Sequence, residues 1–170
     1  MKTYIDAGCH NGDSVAEFFK WYSIFEDTSD FKAYAFDPVK YDSWEHYKNR
    51  YPVTFINKAV YTYDGQTEFS IYENSISSTT YKHKLGYDKG KKKIVDCVDL
   101  IKFMKDKGEI VLKLDVEGEE FNILDKLIEN DNPNIKVILA EIHHDKLDID
   151  VSDKVRKYKE YFGERLRIWR

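Results

Sequence analysis

The chain has 170 residues, of which 42% are hydrophobic and 34% charged, and its formal net charge at pH 7 is −4. This length and apolar content predict a single globular domain over residues 1–170 with a full core. The absence of any apolar run of about 18 residues argues against a membrane span, and early charge argues against a secretory signal. The negative charge also disfavours a nucleic-acid partner. Cys9 and Cys97 are read as free thiols in a reducing compartment, so a cytoplasmic location is expected.

Apolar segments of strand length alternate with amphipathic segments along the chain. Strands are predicted at 3–7, 31–36, 53–56, 94–98, 109–116, 136–142 and 166–169, and helices at 14–25, 40–50, 99–107, 119–130 and 152–162. An Asp64-Gly65 turn predicts a β-hairpin between 59–63 and 67–72. Residues 73–93 predict a loop. The pattern indicates an α/β fold: a doubly wound, Rossmann-like, mostly parallel sheet with a β-hairpin insertion after the third strand.

The first strand ends in a tight loop with two glycines, running from Asp6 to Gly12. A helix follows, and its Ser14 and Glu17 have capping-box spacing. A strand, a glycine turn and a helix together present backbone N–H groups to a nucleotide-like ligand. Asp37 ends the second strand, where a carboxylate can accept hydrogen bonds from both hydroxyls of a ribose. The alternative interpretation of Asp37 is an acid in a turn before proline.

Ligands of such sheets bind at the carboxyl ends of the strands. The central strand 109–116 ends there in an acidic cluster that includes Asp115 and Glu117. This pair could hold a divalent metal or act as a general base. The next acids, Glu119 and Glu120, are interpreted as favourable charges in the first turn of the following helix.

The strand 136–142 ends in a second cluster of acids and histidines. Glu141 and His143 share a face and are candidates for substrate contact or proton transfer. The alternative is an ordinary surface pair of histidines. The lysine-rich stretch 82–93 is either a solvated loop or a segment that folds over an anionic substrate such as a sugar phosphate.

Five segments together resemble the FkbM-type methyltransferases, in the order in which that family has them. The segments are Tyr4-Ile-Asp-Ala-Gly-Cys-His-Asn-Gly12, Ala35-Phe-Asp-Pro38, Asn57-Lys-Ala-Val60, Leu112-Lys-Leu-Asp-Val-Glu-Gly-Glu-Glu120 and Leu139-Ala-Glu-Ile-His143. The Asp64-Gly65 turn and Ser77-Ser78 also resemble the family's hairpin region. The family more often has Glu where Asp37 stands. Its members usually have sequence before the first strand and two strands at the end of the sheet, where this chain has one.

The resemblance implies a methyltransferase sheet and an S-adenosylmethionine-dependent O-methyltransferase. The implied cofactor-binding residues are Asp6, Gly8, His10, Asn11, Gly12, Asp37, Pro38, Ala59 and Ser78. The implied catalytic residues are Asp115 as general base, with Glu117, Glu141 and His143 as helpers or substrate ligands. A divalent cation, Mg²⁺ or Mn²⁺, at Asp115 is the alternative to a base there.

The expected acceptor is a hydroxyl of a sugar, a nucleotide sugar or an oligosaccharide. Two alternatives stay open: methylation of the RNA ribose 2′-hydroxyl, and a nucleotide-binding protein without catalysis on the same fold. The short ends indicate that the parts covering the substrate are minimal or come from a second subunit of a homo-oligomer.

Overall fold

A six-stranded parallel sheet forms the centre of the fold. The computed structural model describes residues 2–25, 27–72 and 77–169, and these ranges contain nine strands. The strands are β1 (Lys2–Ala7), β2 (Phe31–Phe36), β3 (Val53–Ile56), β4 (Ala59–Tyr61), β5 (Gly65–Ile71), β6 (Lys91–Asp99), β7 (Ile110–Leu114), β8 (Ile135–Glu141) and β9 (Leu166–Trp169). The central sheet has the order β3-β2-β1-β7-β8-β9, and every pairing in it is parallel. The predicted doubly wound α/β fold is confirmed.

Helices cover both faces of this sheet, as parallel strands require. They are α1 (Asp13–Glu17), α2 (Ser43–Lys48), α3 (Leu100–Met104), α4 (Glu120–Asn130) and α5 (Ser152–Phe162). One apolar core lies between the sheet and α3, α4 and α5, and it includes Leu112 and Phe121. A second lies beneath α1 and α2 and includes Tyr4 and Trp44, and a smaller third cluster lies on the three strands β4–β6. Among the residues described, no helix is both long enough and apolar enough to cross a bilayer.

The first helix, predicted at 14–25, is α-helical only over Asp13–Glu17. The predicted capping box is absent because the Ser14 hydroxyl donates to the Asp6 carboxylate at 2.6 Å. After α1 the chain widens into a π-helical turn, Phe18–Tyr22. Phe18 stacks on Tyr4 of the sheet with ring centroids 3.8 Å apart, and Tyr22 stacks on Phe18. Aromatic packing on the sheet, rather than helix periodicity, therefore governs this segment.

The predicted β-hairpin is wrong in its pairing. β4 and β5 do not pair with each other, because β6 lies between them in a separate three-stranded sheet. β5 pairs with β6 along its whole length, from Gly65 opposite Cys97 to Ile71 opposite Lys91. The long partner offers more ladder hydrogen bonds than the three residues of β4 could. As a consequence, Lys91–Lys93 belong to a strand and not to the predicted loop, of which residues 73–76 lie outside the described ranges.

Candidate active site

A cavity of about 720 Å³ lies at the carboxyl ends of β1, β2, β7 and β8, where the order of strands reverses. This volume suits a cofactor-sized ligand. Ten of the residues predicted for the site line it: Gly8, His10, Asn11, Asp37, Pro38, Ala59, Ser78, Asp115, Glu117 and Glu141. The other three, Asp6, Gly12 and His143, are not among its lining residues and stand behind them.

The glycine loop is held against the ends of two neighbouring strands. The N–H groups of Gly8 and Cys9 both donate to the Phe36 carbonyl at 3.0 Å, and the Asp115 N–H donates to the Ala7 carbonyl at 3.0 Å. Gly8 has φ +82°, and a Cβ built on it would lie 1.8 Å from the Asp115 carbonyl oxygen. Glycine is therefore required here both by the backbone conformation and by the close approach of β7.

Asp37 presents a carboxylate to the cavity from the end of β2. Its Oδ2 accepts the His10 N–H at 2.9 Å, and its Oδ1 accepts the Val39 N–H at 2.8 Å. Each oxygen therefore keeps a lone pair for a further donor. Burial raises the pKa of Asp37 to about 6, even though the two backbone N–H groups oppose this shift. The carboxylate is consequently ionised at neutral pH but titrates in the mildly acidic range.

The remainder of the glycine loop is fixed by α2. The Trp44 indole donates to the His10 carbonyl at 2.8 Å, and the Ser43 hydroxyl donates to the Asn11 carbonyl at 2.6 Å. Gly12 has φ +94°, and a Cβ there would come within 2.8 Å of the Tyr47 ring. Gly12 thus shapes the loop without lining the cavity.

Lys113 joins the glycine loop to the acidic end of the cavity. It sits beside Asp6 in the register of β7 on β1, and its ammonium lies 3.1 Å from Asp6 Oδ1 and 3.3 Å from Asp115 Oδ2. It also donates to the Gly8 carbonyl at 3.0 Å. Although burial opposes it, the two carboxylates raise the pKa of Lys113, so the lysine stays charged. Asp6, which is 0% exposed, therefore acts from beneath the site through this lysine.

His143 is the centre of the acidic end. Its Nε2 lies 3.3 Å from Glu141 Oε1, 3.4 Å from Glu117 Oε1 and 3.9 Å from Asp115 Oδ1. Its Nδ1 lies 3.2 Å from Glu120 Oε1. Burial opposes the charged form, but Glu117 and Glu120 outweigh it and raise the pKa of His143 to about 10. In the protein without bound ions, His143 is accordingly an imidazolium at neutral pH.

Glu117 and Glu141 differ as proton acceptors. Burial would raise the pKa of Glu117, but His143 and Lys84 hold it at about 2. Lys84 is itself buried and donates to Glu117 Oε2, and Lys146 lies 3.5 Å from the same oxygen. By contrast, burial and the neighbouring Asp115 raise the pKa of Glu141. Glu117 is therefore a poor base at neutral pH, whereas Glu141 is a better one.

Glu120 lies in the first turn of α4 as interpreted, and Glu119 immediately precedes that helix, but both side chains are buried and have further contacts. Glu120 accepts the N–H groups of Val116 and Gly118, at 2.8 and 2.6 Å, and contacts His143. It holds the turn after β7 and orients the imidazole. Glu119 instead accepts hydrogen bonds from Asn122 and Thr80, and burial raises its pKa to about 7.

Several lining residues were not predicted from the sequence. The π-helical turn contributes an aromatic wall made of Phe18, Trp21 and Tyr22. Trp21 is 56% exposed although it borders the cavity. Lys113 could have been noticed as a lysine inside an apolar strand. Lys84 and Lys146 carry no such signal, since Lys84 belongs to a lysine-rich stretch that resembles a solvated loop.

Comparison with known proteins gives one match. The family model for the methyltransferase FkbM domain matches residues 6–167, which is nearly the whole chain. The matched region includes both the glycine loop and the acidic end of the cavity, so it confirms the predicted resemblance. No curated protein and no solved structure matches the chain.

Proposed function

This chain belongs to the FkbM methyltransferase family, and from that membership we propose that it transfers a methyl group from S-adenosylmethionine to a hydroxyl oxygen of a sugar or glycan. The observation that carries the proposal is the cavity of about 720 Å³, which has a glycine loop and Asp37 on its lining together with the carboxylates of Asp115 and Glu141. One ligand-sized space thus joins groups suited to a nucleoside with groups suited to proton transfer.

The residues of the glycine loop fit the proposed methyl donor. The open lone pairs of the Asp37 carboxylate suit the two hydroxyls of a ribose. The absence of a side chain on Gly8 lets the loop approach the Asp115 backbone closely, so the donor site lies beside the acidic end of the cavity. We assign Asp37 to the ribose and Gly8 to His10 to the neighbouring part of the donor, with Pro38, Ala59 and Ser78 completing the wall.

The carboxylates at the acidic end and the aromatic wall of the cavity support a polyhydroxylated acceptor. Asp115 and Glu141 offer carboxylate oxygens that accept hydrogen bonds from hydroxyl groups. The wall of Phe18, Trp21 and Tyr22 offers flat apolar surface with polar edges, which suits the mixed character of a sugar ring.

Glu141 is our choice for the general base, in place of the sequence-predicted Asp115. Both residues line the cavity, but burial and Asp115 raise the pKa of Glu141, whereas one oxygen of Asp115 is paired with Lys113. S-adenosylmethionine supplies a methyl carbon on a positively charged sulfur. The acceptor oxygen forms a bond to this carbon as the carbon–sulfur bond breaks, the electron pair of that bond passes to sulfur, and the hydroxyl proton passes to Glu141. The remaining contribution of the protein is to hold the reactants in line.

The proposal is tested by titration calorimetry with S-adenosylmethionine, followed by a methyl-transfer screen over free sugars, nucleotide sugars and oligosaccharides. We expect saturable binding of the cofactor and turnover on at least one sugar acceptor. Absence of cofactor binding would overturn the proposal, and turnover on RNA ribose but on no sugar would overturn its acceptor class.

The role of Glu141 is tested with the acceptor found in that screen. We expect Glu141→Gln to lower kcat by about 10²–10⁴-fold, the usual contribution of general-base catalysis, and to leave cofactor affinity unchanged. Glu164→Gln, an exposed control, should keep wild-type turnover. Full turnover by Glu141→Gln would exclude Glu141 as the base.

A further inference from the structure

Three side chains at the acidic end have the arrangement of metal ligands. One ligand atom each from Asp115, Glu117 and His143 lies within 4.8 Å of the other two. Glu117 and His143 are buried, with 6% and 3% of their surfaces exposed. Two carboxylates and an imidazole are a common donor set for divalent cations.

The buried imidazole is an independent indication of a ligand, because one of its nitrogens has no hydrogen-bond partner among the described residues. His143 Nε2 is within 4 Å of three carboxylate oxygens, yet none of them is positioned to accept a hydrogen bond from it. Its other nitrogen, Nδ1, is directed at Glu120. A histidine that points one nitrogen at a carboxylate and the other, without a hydrogen bond, into a group of oxygens is typical of metal sites.

Lysines orient the two carboxylates of the set. Lys113 lies against Asp115 Oδ2 and Lys84 against Glu117 Oε2, whereas the other oxygen of each carboxylate is the one nearer to His143. Glu117 also has φ +56°, an uncommon conformation for a residue other than glycine. The Thr79 hydroxyl stabilises that conformation by donating to the Glu117 carbonyl at 2.8 Å. The chain therefore uses several contacts to keep one oxygen of each carboxylate directed towards the same nitrogen.

The charge of this region matches one divalent cation. Five carboxylates surround three lysine ammonium groups when His143 is neutral, which leaves two negative charges in excess. The carboxylates are those of Asp6, Asp115, Glu117, Glu120 and Glu141, and the ammonium groups are those of Lys84, Lys113 and Lys146. One divalent cation held by the carboxylates and a neutral imidazole would balance both of these charges.

We propose that Asp115, Glu117 and His143 form a binding site for one divalent cation, for which Mn²⁺ is the probe because it accepts carboxylate ligands and is paramagnetic. Because Asp115 and Glu117 line the cavity, the cation would be accessible to a bound acceptor. Its role rests on the proposed function: it would bind the acceptor hydroxyl oxygen and lower the pKa of that hydroxyl, which assists transfer of the proton to Glu141.

Titration calorimetry of the full chain with MnCl₂, without cofactor or acceptor, tests the site. We expect one Mn²⁺ per chain and at least tenfold weaker binding by His143→Asn and by Asp115→Asn. His83→Asn is the matched control, because His83 pairs with Asp148 at 3.1 Å on the exposed surface. Wild-type protein without saturable Mn²⁺ binding, or equal losses in the control and the site variants, would overturn the proposal.

Backbone amide NMR of the wild-type protein makes the test independent of variant folding. Substoichiometric Mn²⁺ should broaden the amide signals of 116–118 and 142–143 first, and broadening centred on any other acids would overturn the site. Methyl transfer is then measured in EDTA and after Mn²⁺ is restored. If Mn²⁺ binds at this site but no acceptor is methylated, the proposed function fails while the metal site is supported.

Discussion

The two ends of the cavity are built from different kinds of interaction. At the cofactor end, Gly8, His10 and Asp37 are held mainly by hydrogen bonds in which a backbone N–H or C=O group is one of the two partners. At the acidic end, Asp115, Glu117 and His143 are held mainly by charged side chains, three of which are lysines.

This difference determines how each end responds to change. Backbone contacts depend on chain conformation, so the cofactor end is sensitive to volume added at its glycines. Buried charges depend on their partners, so removal of one partner leaves the others unpaired in a low dielectric. Lys113 contacts both ends of the cavity, so its substitution should have the largest effect.

The largest expected effect is that of Lys113→Met. The substitution leaves Asp6, which is 0% exposed, without its ion pair, and loss of one partner from a buried pair costs about 3–5 kcal/mol. Urea denaturation should therefore show a fall of this size in the free energy of unfolding.

The matched control for Lys113 is Lys126→Met. Lys126 pairs with Glu129 on the exposed surface of α4, where such a pair contributes about 0–1 kcal/mol. If both variants lose the same stability, the acidic end does not depend on buried charge as described.

Gly8→Ala should have the next largest effect, and it acts on the cofactor end. The left-handed conformation costs an L-residue about 1–2 kcal/mol, and the overlap with the Asp115 carbonyl adds to this, for a total of roughly 2–4 kcal/mol. We also expect binding of S-adenosylmethionine to weaken at least tenfold in calorimetry.

Gly163→Ala separates these two causes. Gly163 has φ +54° and ψ −131°, so an L-residue there is also strained, but no atom lies within 4 Å of a built Cβ. Gly163→Ala should lose about 1–3 kcal/mol from backbone strain alone and bind the cofactor normally. An equal loss of cofactor affinity in the two alanine variants would show that the approach of β7 to Gly8 is unimportant.

The smallest expected effect concerns pH and Asp37. Because the pKa of Asp37 is about 6, the ionised fraction falls about tenfold from pH 7.5 to pH 5, and affinity for S-adenosylmethionine should fall with it. The free energy of unfolding should instead be larger at low pH than at neutral pH. A raised pKa favours the folded state at low pH, and this contribution is lost as the pH rises from about 4 to 6.

Calorimetry and denaturation at a series of pH values check both trends. Asp37→Asn cannot titrate at this position, so it should bind the cofactor weakly at every pH. It should also lack the stability change between pH 4 and 6. A variant that keeps the wild-type pH dependence of binding would show that another group is responsible.

The cofactor end was the more predictable from sequence, for a physical reason. A strand followed by Gly8 and an acid at the end of the next strand are local features, and parallel strands bring their carboxyl ends together. As a result, seven of the ten predicted residues that line the cavity belong to the cofactor end. The β-hairpin prediction failed because β5 pairs with β6, and even their closest paired residues, Ile71 and Lys91, are 20 positions apart in sequence. The local Asp64-Gly65 turn gives no signal of that partner.

The acidic end was predicted only in part. Asp115, Glu141 and His143 follow strands and were found, but their lysine partners come from segments whose local patterns look solvated. Nothing near Lys84 in sequence distinguishes it from exposed lysines, and Glu120 resembles a favourable charge at a helix start. Long-range charge pairing has no local signature, so these contacts require the folded structure.

The position of Lys113 has a consequence for protein engineering. Because one ammonium group touches Gly8, Asp6 and Asp115, a library that varies the acidic end also disturbs the loop proposed to hold the methyl donor. Selection for new acceptors should therefore leave this lysine and its partners intact. Trp21 and Tyr22 border the same cavity from the π-helical turn, without a contact to Lys113 among the described interactions. They are the positions at which acceptor preference can be diversified with least damage to the rest of the site.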